Sequence, residues 1–253
     1  MKKSLFGLVM MVLCVFILGG SPSTAYAAEE VQTPMLVKST DNAEIMQLNS
    51  KLENIKVISS EDIKEIAKYS NATFKKLDGD MAEITFVSKA PTKINYFNDG
   101  SKEELYTKHM YVGDLLPVPG YTGRDYFDFY ARVHISAAYS AINVGTALKE
   151  FIKLDTGKGT LLEYFDHACK NLKITPATSG NWEDPDGSRG SQGTVRNPRT
   201  IPVPVIGQEY SQSGLSTHYF DRESSFITVH VNIDTRHGTE WTTSYFELPL
   251  GIH

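Results

Sequence analysis

Disulfide chemistry is closed to most of this 253-residue chain, which holds two cysteines, Cys14 and Cys169. Cys14 lies inside an apolar N-terminal run, so removal of that run leaves one thiol and no intramolecular disulfide. A chain without such staples must be held by its core, and this one is long enough to bury a sufficient one. Basic charge is also scarce, with 25 Lys and Arg against 30 Asp and Glu and a net charge of −5. That balance argues against a nucleic-acid binder, which needs a basic face. Past the N-terminal run, no apolar stretch approaches the ~20 residues of a membrane-spanning helix. Internal repeats and heptads are missing. So is a Gly-x-Ser-x-Gly elbow, which weakens a serine-hydrolase reading. Gly157-Lys158-Gly159-Thr160 lacks the upstream glycine, and the hydroxyl directly after lysine, that a phosphate loop requires.

What is present begins with an export signal. Lys2 and Lys3 precede an uncharged apolar run from Leu5 to Leu18, then Gly19, Gly20 and Pro22 break it, and Ala25-Tyr26-Ala27 supplies the small-x-small cleavage pattern. Residues 1–27 are therefore expected to be a bacterial secretory signal peptide cleaved near Ala27, and the mature protein to act outside the cell. Met11-Val12-Leu13 ahead of Cys14 lacks the small residues of a lipidation site. Cleavage removes two lysines and no acid, leaving 23 basic against 30 acidic residues, a net charge of −7.

Thirteen tyrosines and twelve phenylalanines favour strands over a helical bundle. Ile45, Leu48, Leu52 and Ile55 recur at helical spacing over 42–55, and a second short helix opens at Ser60, read as its N-cap. Asp78-Gly79 between the runs 73–77 and 81–87 predicts a β-hairpin, with a further strand over 93–97. From 125 to 135, apolar and polar residues alternate, with Val133 and Ile135 on one face and Arg132 and His134 on the other. The small residues Ala137, Ala141 and Gly145, four apart, suggest a helix over 136–153. A stripe of Leu161, Leu162, Phe165, Ala168, Cys169 and Leu172 suggests another over 160–173. Together these predict a helical hairpin.

Residues 176–192 read as the start of a long exposed loop, extending to about 200. The segments 225–234 and 240–248 flank the turn at 235–238 as a second hairpin. The expected fold class is α+β: an antiparallel sheet with a helical hairpin, and N-terminal helices followed by a β-hairpin. The expected division is a flexible tail over 28–40, a small α+β unit over 41–98 and an α+β unit over 101–253. One domain or two are both compatible with the length.

The clearest polar constellation lies on the strand 227–234, where Val229, Val231 and Ile233 take one face and His230, Asn232 and Asp234 the other. His230 and Asp234 are ~13 Å apart along a strand, too far for a dyad. If His230 is a general base, its orienting partner comes from another strand. His218 and His237 are near enough in sequence to join His230 in a transition-metal site, although no His-x-His or His-Glu-x-x-His pairing exists. A solvent-facing strand face is the plainer reading of all three. Cys169 reads as a buried structural thiol, and Glu163 with His167 as a solvated pair.

Residues 183–188 resemble part of a calcium loop. Trp182 and Gly193 occupy the first and twelfth EF-hand positions, where carboxylates or close equivalents belong, so that motif fails. Arg189, Arg196 and Arg199 cluster in an otherwise acidic chain and could contact phosphate or carboxylate groups. The residues name no cofactor, and they leave the oligomeric state open.

Three functions fit. The first is a secreted, soluble binding protein for an extracellular ligand or envelope component, acting at the cell envelope or a host surface. The second is a secreted hydrolase using His230, with or without a metal. The third is a membrane-damaging β-rich toxin, suggested by the Ser/Thr-rich amphipathic strands of 211–245.

Overall fold

The computed structural model describes residues 34–77, 81–117, 127–144, 149–162, 168–214, 217–237 and 239–251. The segment read as a signal peptide lies outside them, as do Glu163 and His167. Residues 34–253 group as one compact unit.

Alternating side chains and short turns dominate the chain, and it folds accordingly. Strand β1 (Leu36–Asp41) is followed by helix α1 (Ala43–Asn54), β2 (Val57–Ile58) and helix α2 (Ser60–Ile66). Six strands come next: β3 (Ser70–Lys76), β4 (Met81–Ser88), β5 (Lys93–Phe97), β6 (Lys102–Pro117), β7 (Phe127–Val144) and β8 (Lys149–Leu161). The last seven are β9 (Cys169–Glu183), β10 (Arg189–Arg196), β11 (Arg199–Ile201), β12 (Glu209–Ser213), β13 (Phe220–Asp221), β14 (Phe226–His237) and β15 (Glu240–Pro249). All pairings are antiparallel and join one sheet with the main order β1-β5-β6-β7-β8-β13-β9-β14-β15. The short β13 bridges the two halves, because Phe220 pairs with Ile152 of β8 and with Trp182 of β9.

The sheet folds over itself around a main core. Met110 and Val112 of β6, Val133, Ile135 and Ala137 of β7 and Ile152 of β8 pack with Leu172 and Ile174 of β9 and Ile227, Val229, Val231 and Ile233 of β14. These positions alternate along each strand, as a half-buried sheet demands. Two glycines on β8 permit the approach. A Cβ on Gly157 would lie 2.8 Å from Cγ1 of Val229, and one on Gly159 3.1 Å from Cγ1 of Ile174.

The opposite face of β4, β6 and β7 is covered by the two helices. Leu48 and Leu52 of α1 and Ile66 of α2 form a second core with Ile84 and Phe86 of β4 and Tyr111 of β6. Asn42 caps α1 by accepting from the Ile45 amide at 3.3 Å. Helix α2 is capped by Ser59, one residue before the expected Ser60. Ser59 and Asp62 form a reciprocal capping box. Among the described residues, no helix is long and apolar enough to cross a membrane.

The expected α+β class with a helical hairpin is corrected by this architecture, which is predominantly antiparallel β with two helices among the described residues. The described parts of 136–153 and 160–173 belong to β7, β8 and β9. A spacing of four is even, so Ala137 and Ala141 share one strand face as readily as one helix face. Both are buried in the main core. Cys169 opens β9 and is partly buried rather than sitting on a helical stripe. The expected loop of 176–200 is largely the hairpin of β9 and β10, closed by a tight turn at 184–188 with Gly187 at φ +80°.

Candidate anion-binding site

Strand β14 shows its polar side chains on the face turned away from the core, between β9 and β15. The register sets His230 opposite Thr175 on β9 and Glu247 on β15, and Asn232 opposite Lys173 and Tyr245. Tyr245 is therefore a diagonal neighbour of His230, within aromatic reach. Its hydroxyl is hydrogen-bonded to Nδ1 of His230. Phe226 stacks on the same imidazole, ring centroids 5.8 Å apart. Thus His230 is 7% exposed although it lies on the outer face.

The turn between β10 and β11 supplies the remaining wall. Asn197 fixes it, its amide donating to the Pro176 carbonyl at 3.1 Å and its side chain to that of Ser213 at 3.2 Å. Arg196 and Pro198 flank this anchor. With Lys173, Thr175, His230, Asn232 and Tyr245 they line a cleft of about 210 Å³. That is smaller than the ~300–1,000 Å³ of drug-sized pockets and suits one anionic group or one sugar ring. Thr175 and His230 form its floor, while Lys173, Arg196 and Tyr245 are exposed at its mouth. Neither Lys173 nor Arg196 is paired with a carboxylate among the described residues.

The nearest acid along β14, Asp234, is already satisfied. It accepts from Thr243 at 2.7 Å and Asn171 at 2.8 Å, and these bonds, that of Thr243 foremost, hold its carboxyl below the usual range. The cleft therefore presents two cations, several further hydrogen-bonding groups and an aromatic edge. Guanidinium and ammonium groups are the side chains that form charge-assisted hydrogen bonds with oxyanions.

The three histidines singled out in the sequence occupy separate places. His218 stacks on Trp182 with centroids 3.9 Å apart, and its Nδ1 is 2.6 Å from Oδ2 of Asp184. Trp182 is seven residues along β9 from Thr175, the partner of His230, or ~23 Å. His237 is seven residues from His230 in the other direction, its backbone paired with Glu240. The side chain of His237 is outside the described set. Among the described residues, no group of three or more His, Cys, Asp or Glu side chains could hold a metal ion. In the segment resembling a calcium loop, Asp184 accepts from the Tyr219 amide at 3.1 Å besides facing His218. Asp186 accepts from the amide and hydroxyl of Ser188. Arg199 donates to the Ser211 carbonyl at 2.6 Å, so of the three loop arginines Arg196 alone lines the cleft.

Sequence reasoning treated His230, Arg196 and the aromatic Tyr245 as separate features and missed Lys173, Thr175 and Pro198. One signal was available. With strand ends paired at His237 and Glu240, the second hairpin sets Tyr245 opposite Asn232.

Fold and cleft together define a predominantly antiparallel β protein with a small cationic surface site. No protein family matches the chain, and neither curated proteins nor solved structures are significantly similar to it.

Proposed function

We propose that the chain is an exported binding protein whose cleft around His230 takes an anionic group of an extracellular ligand, at the cell envelope or a host surface. The carrying observation is the convergence of Lys173 and Arg196, neither paired with a described carboxylate, on one cleft in a chain of net charge −5. A guanidinium grips a carboxylate, phosphate or sulfate through parallel N–H donors. Asn232, Thr175 and the imidazole add further hydrogen-bonding groups, and Tyr245 offers a ring edge to an adjoining sugar. An acidic saccharide carries both features. Export rests on the pattern of residues 1–27, and protein recovered from the medium should begin at Ala28.

Isothermal titration with an acidic oligosaccharide and its neutral counterpart tests the binding reading. Only the acidic sugar should bind, with affinity falling as salt rises, and Lys173→Ala/Arg196→Ala together should abolish it. Equal binding of both sugars would refute the proposal.

One observation favours a hydrolytic second reading: His230 meets a titratable partner, Tyr245, in the cleft. Mass spectrometry of the bound sugar separates the two, since a binding protein returns it intact.

A further inference from the structure

Helix α1 rests on β6 and β7 partly through polar side chains. His109 of β6 and His134 of β7 are each 1% exposed, and Asn49 of α1 closes over them. The Asn49 amide oxygen faces Nε2 of His109 at 3.2 Å, and Nδ1 of His109 faces Nε2 of His134 at 3.1 Å. With that oxygen accepting from Nε2–H, Nδ1 of His109 accepts in turn from Nε2–H of His134. That chain requires His109 to be neutral, whereas a proton on Nδ1 of His134 leaves its bonds intact but puts a charge on a buried ring. Tyr111 stacks on His134 with centroids 4.3 Å apart and donates its hydroxyl to the Leu52 carbonyl of α1.

The described elements around the pair offer it no counter-ion. From β4, Phe86 stands opposite His109; from β7, Ser136 is its cross-strand partner. From β8, Thr160 is opposite His134, and Lys158 opposite Ser136. The Lys158 ammonium binds Glu53 of α1 at 2.8 Å and Glu209 of β12 at 3.0 Å, so these two acids are committed to it. Among the described residues, no carboxylate pairs with either imidazole.

We propose that the His109–His134 pair is an acid-sensitive latch, whose protonation detaches α1 from the sheet and uncovers the apolar face beneath it. A proton on Nδ1 of His134 places an uncompensated cation in a dry contact near Lys158. A second, on Nδ1 of His109, sets two N–H groups against each other at the 3.1 Å contact. Either is relieved when α1 lifts away, which exposes Leu48, Leu52, Ile84 and Phe86. Burial is the main force holding both imidazoles neutral, the neighbouring charge of Lys158 adding to it; His134 is pushed down to about 3 and His109 well below its usual value.

The sign follows from linkage. Below about pH 6.5 the opened form takes up protons that the closed form refuses, so opening is favoured by up to about tenfold per pH unit for each imidazole, about a hundredfold for the pair. Between pH 6.5 and 5 free carboxylates are still largely ionised, so the steep part of the slope belongs to imidazoles. This latch is independent of the anion cleft.

Hydrogen exchange of the α1 amides, corrected for intrinsic rates and referenced to β14 amides, reads the latch between pH 7.5 and 5. The α1 opening constant should climb steeply below pH 6.5 while β14 stays protected. His109→Gln or His134→Gln should cut the slope to about tenfold per pH unit, and the double variant should flatten it. Near-ultraviolet circular dichroism at pH 7.5 checks that the variants fold. Should they not, the imidazole proton resonances of the wild-type chain decide, because both rings should titrate only as α1 opens. A flat α1 profile, loss of β14 protection in step with α1, or a ring titrating near pH 6.5 beneath a protected α1 would each overturn the proposal.

Discussion

Tyr245 leans over His230 with ring centroids 5.1 Å apart and planes tilted by 37°, although the register sets it opposite Asn232. The contact between the phenol and Nδ1 fixes the imidazole at the floor of the cleft. In the proposed complex the two cations at the mouth would supply the Coulombic attraction, and the floor direction.

Arg196→Ala should weaken binding of an acidic saccharide by ten-fold or more, since a charge-assisted hydrogen bond contributes about 1.5–3 kcal/mol. Arg196→Lys should recover only part of that loss, because the ammonium lacks the planar fork. Titration calorimetry at low and moderate salt measures both.

Gly157→Ala should destabilise the fold by about 1–3 kcal/mol, the usual range for forcing a methyl into a packed core. The new Cβ would meet both methyls of Val229, at 2.8 and 2.9 Å, and Cγ of Pro176 at 3.3 Å. Urea unfolding should show a lower midpoint with an unchanged slope.

Thr178→Val should stabilise the protein by about 1 kcal/mol, since it replaces a buried hydroxyl that has no partner with a methyl of similar shape. Thr178 is 1% exposed and its Oγ1 has no hydrogen-bond partner among the described residues. The same urea assay reads it.

Lys108→Met should raise stability at pH 7 by about 1–3 kcal/mol. Burial pushes the ammonium of Lys108 down to about 8, with Arg222 adding repulsion. The unfolded chain therefore holds the proton more tightly. Stability linked to this group is full above pH 10.5 and lost as pH falls towards 8. Wild-type stability should accordingly rise between pH 8 and 9.5, and the variant should lack that rise. Urea midpoints across this interval provide the check.

Period-two patterns were legible. The assignment of Val229, Val231 and Ile233 to the core and of His230 and Asn232 to the outer face matches β14, and Ile45, Leu48 and Leu52 mark the buried side of α1. The helical hairpin failed because Ala137, Ala141, Gly157 and Gly159 carry too little side chain to declare a period. His134 was placed on a polar face by alternation, yet that face of β7 is covered by α1. Its neighbours His109, Tyr111, Ser136 and Thr160 are uncharged polar residues, a composition suited to a buried polar layer. The cleft was hidden because its residues lie on β9, β14, β15 and the turn after β10. Only register unites them.

A residue-resolved NMR titration with an acidic oligosaccharide, paired with its neutral analogue, tests the anion cleft most directly. The account predicts saturable shifts at Lys173, Thr175, Arg196, His230, Asn232 and Tyr245 with the acidic sugar and none with the neutral one. Shifts centred elsewhere, or the same shifts from both sugars, would contradict it.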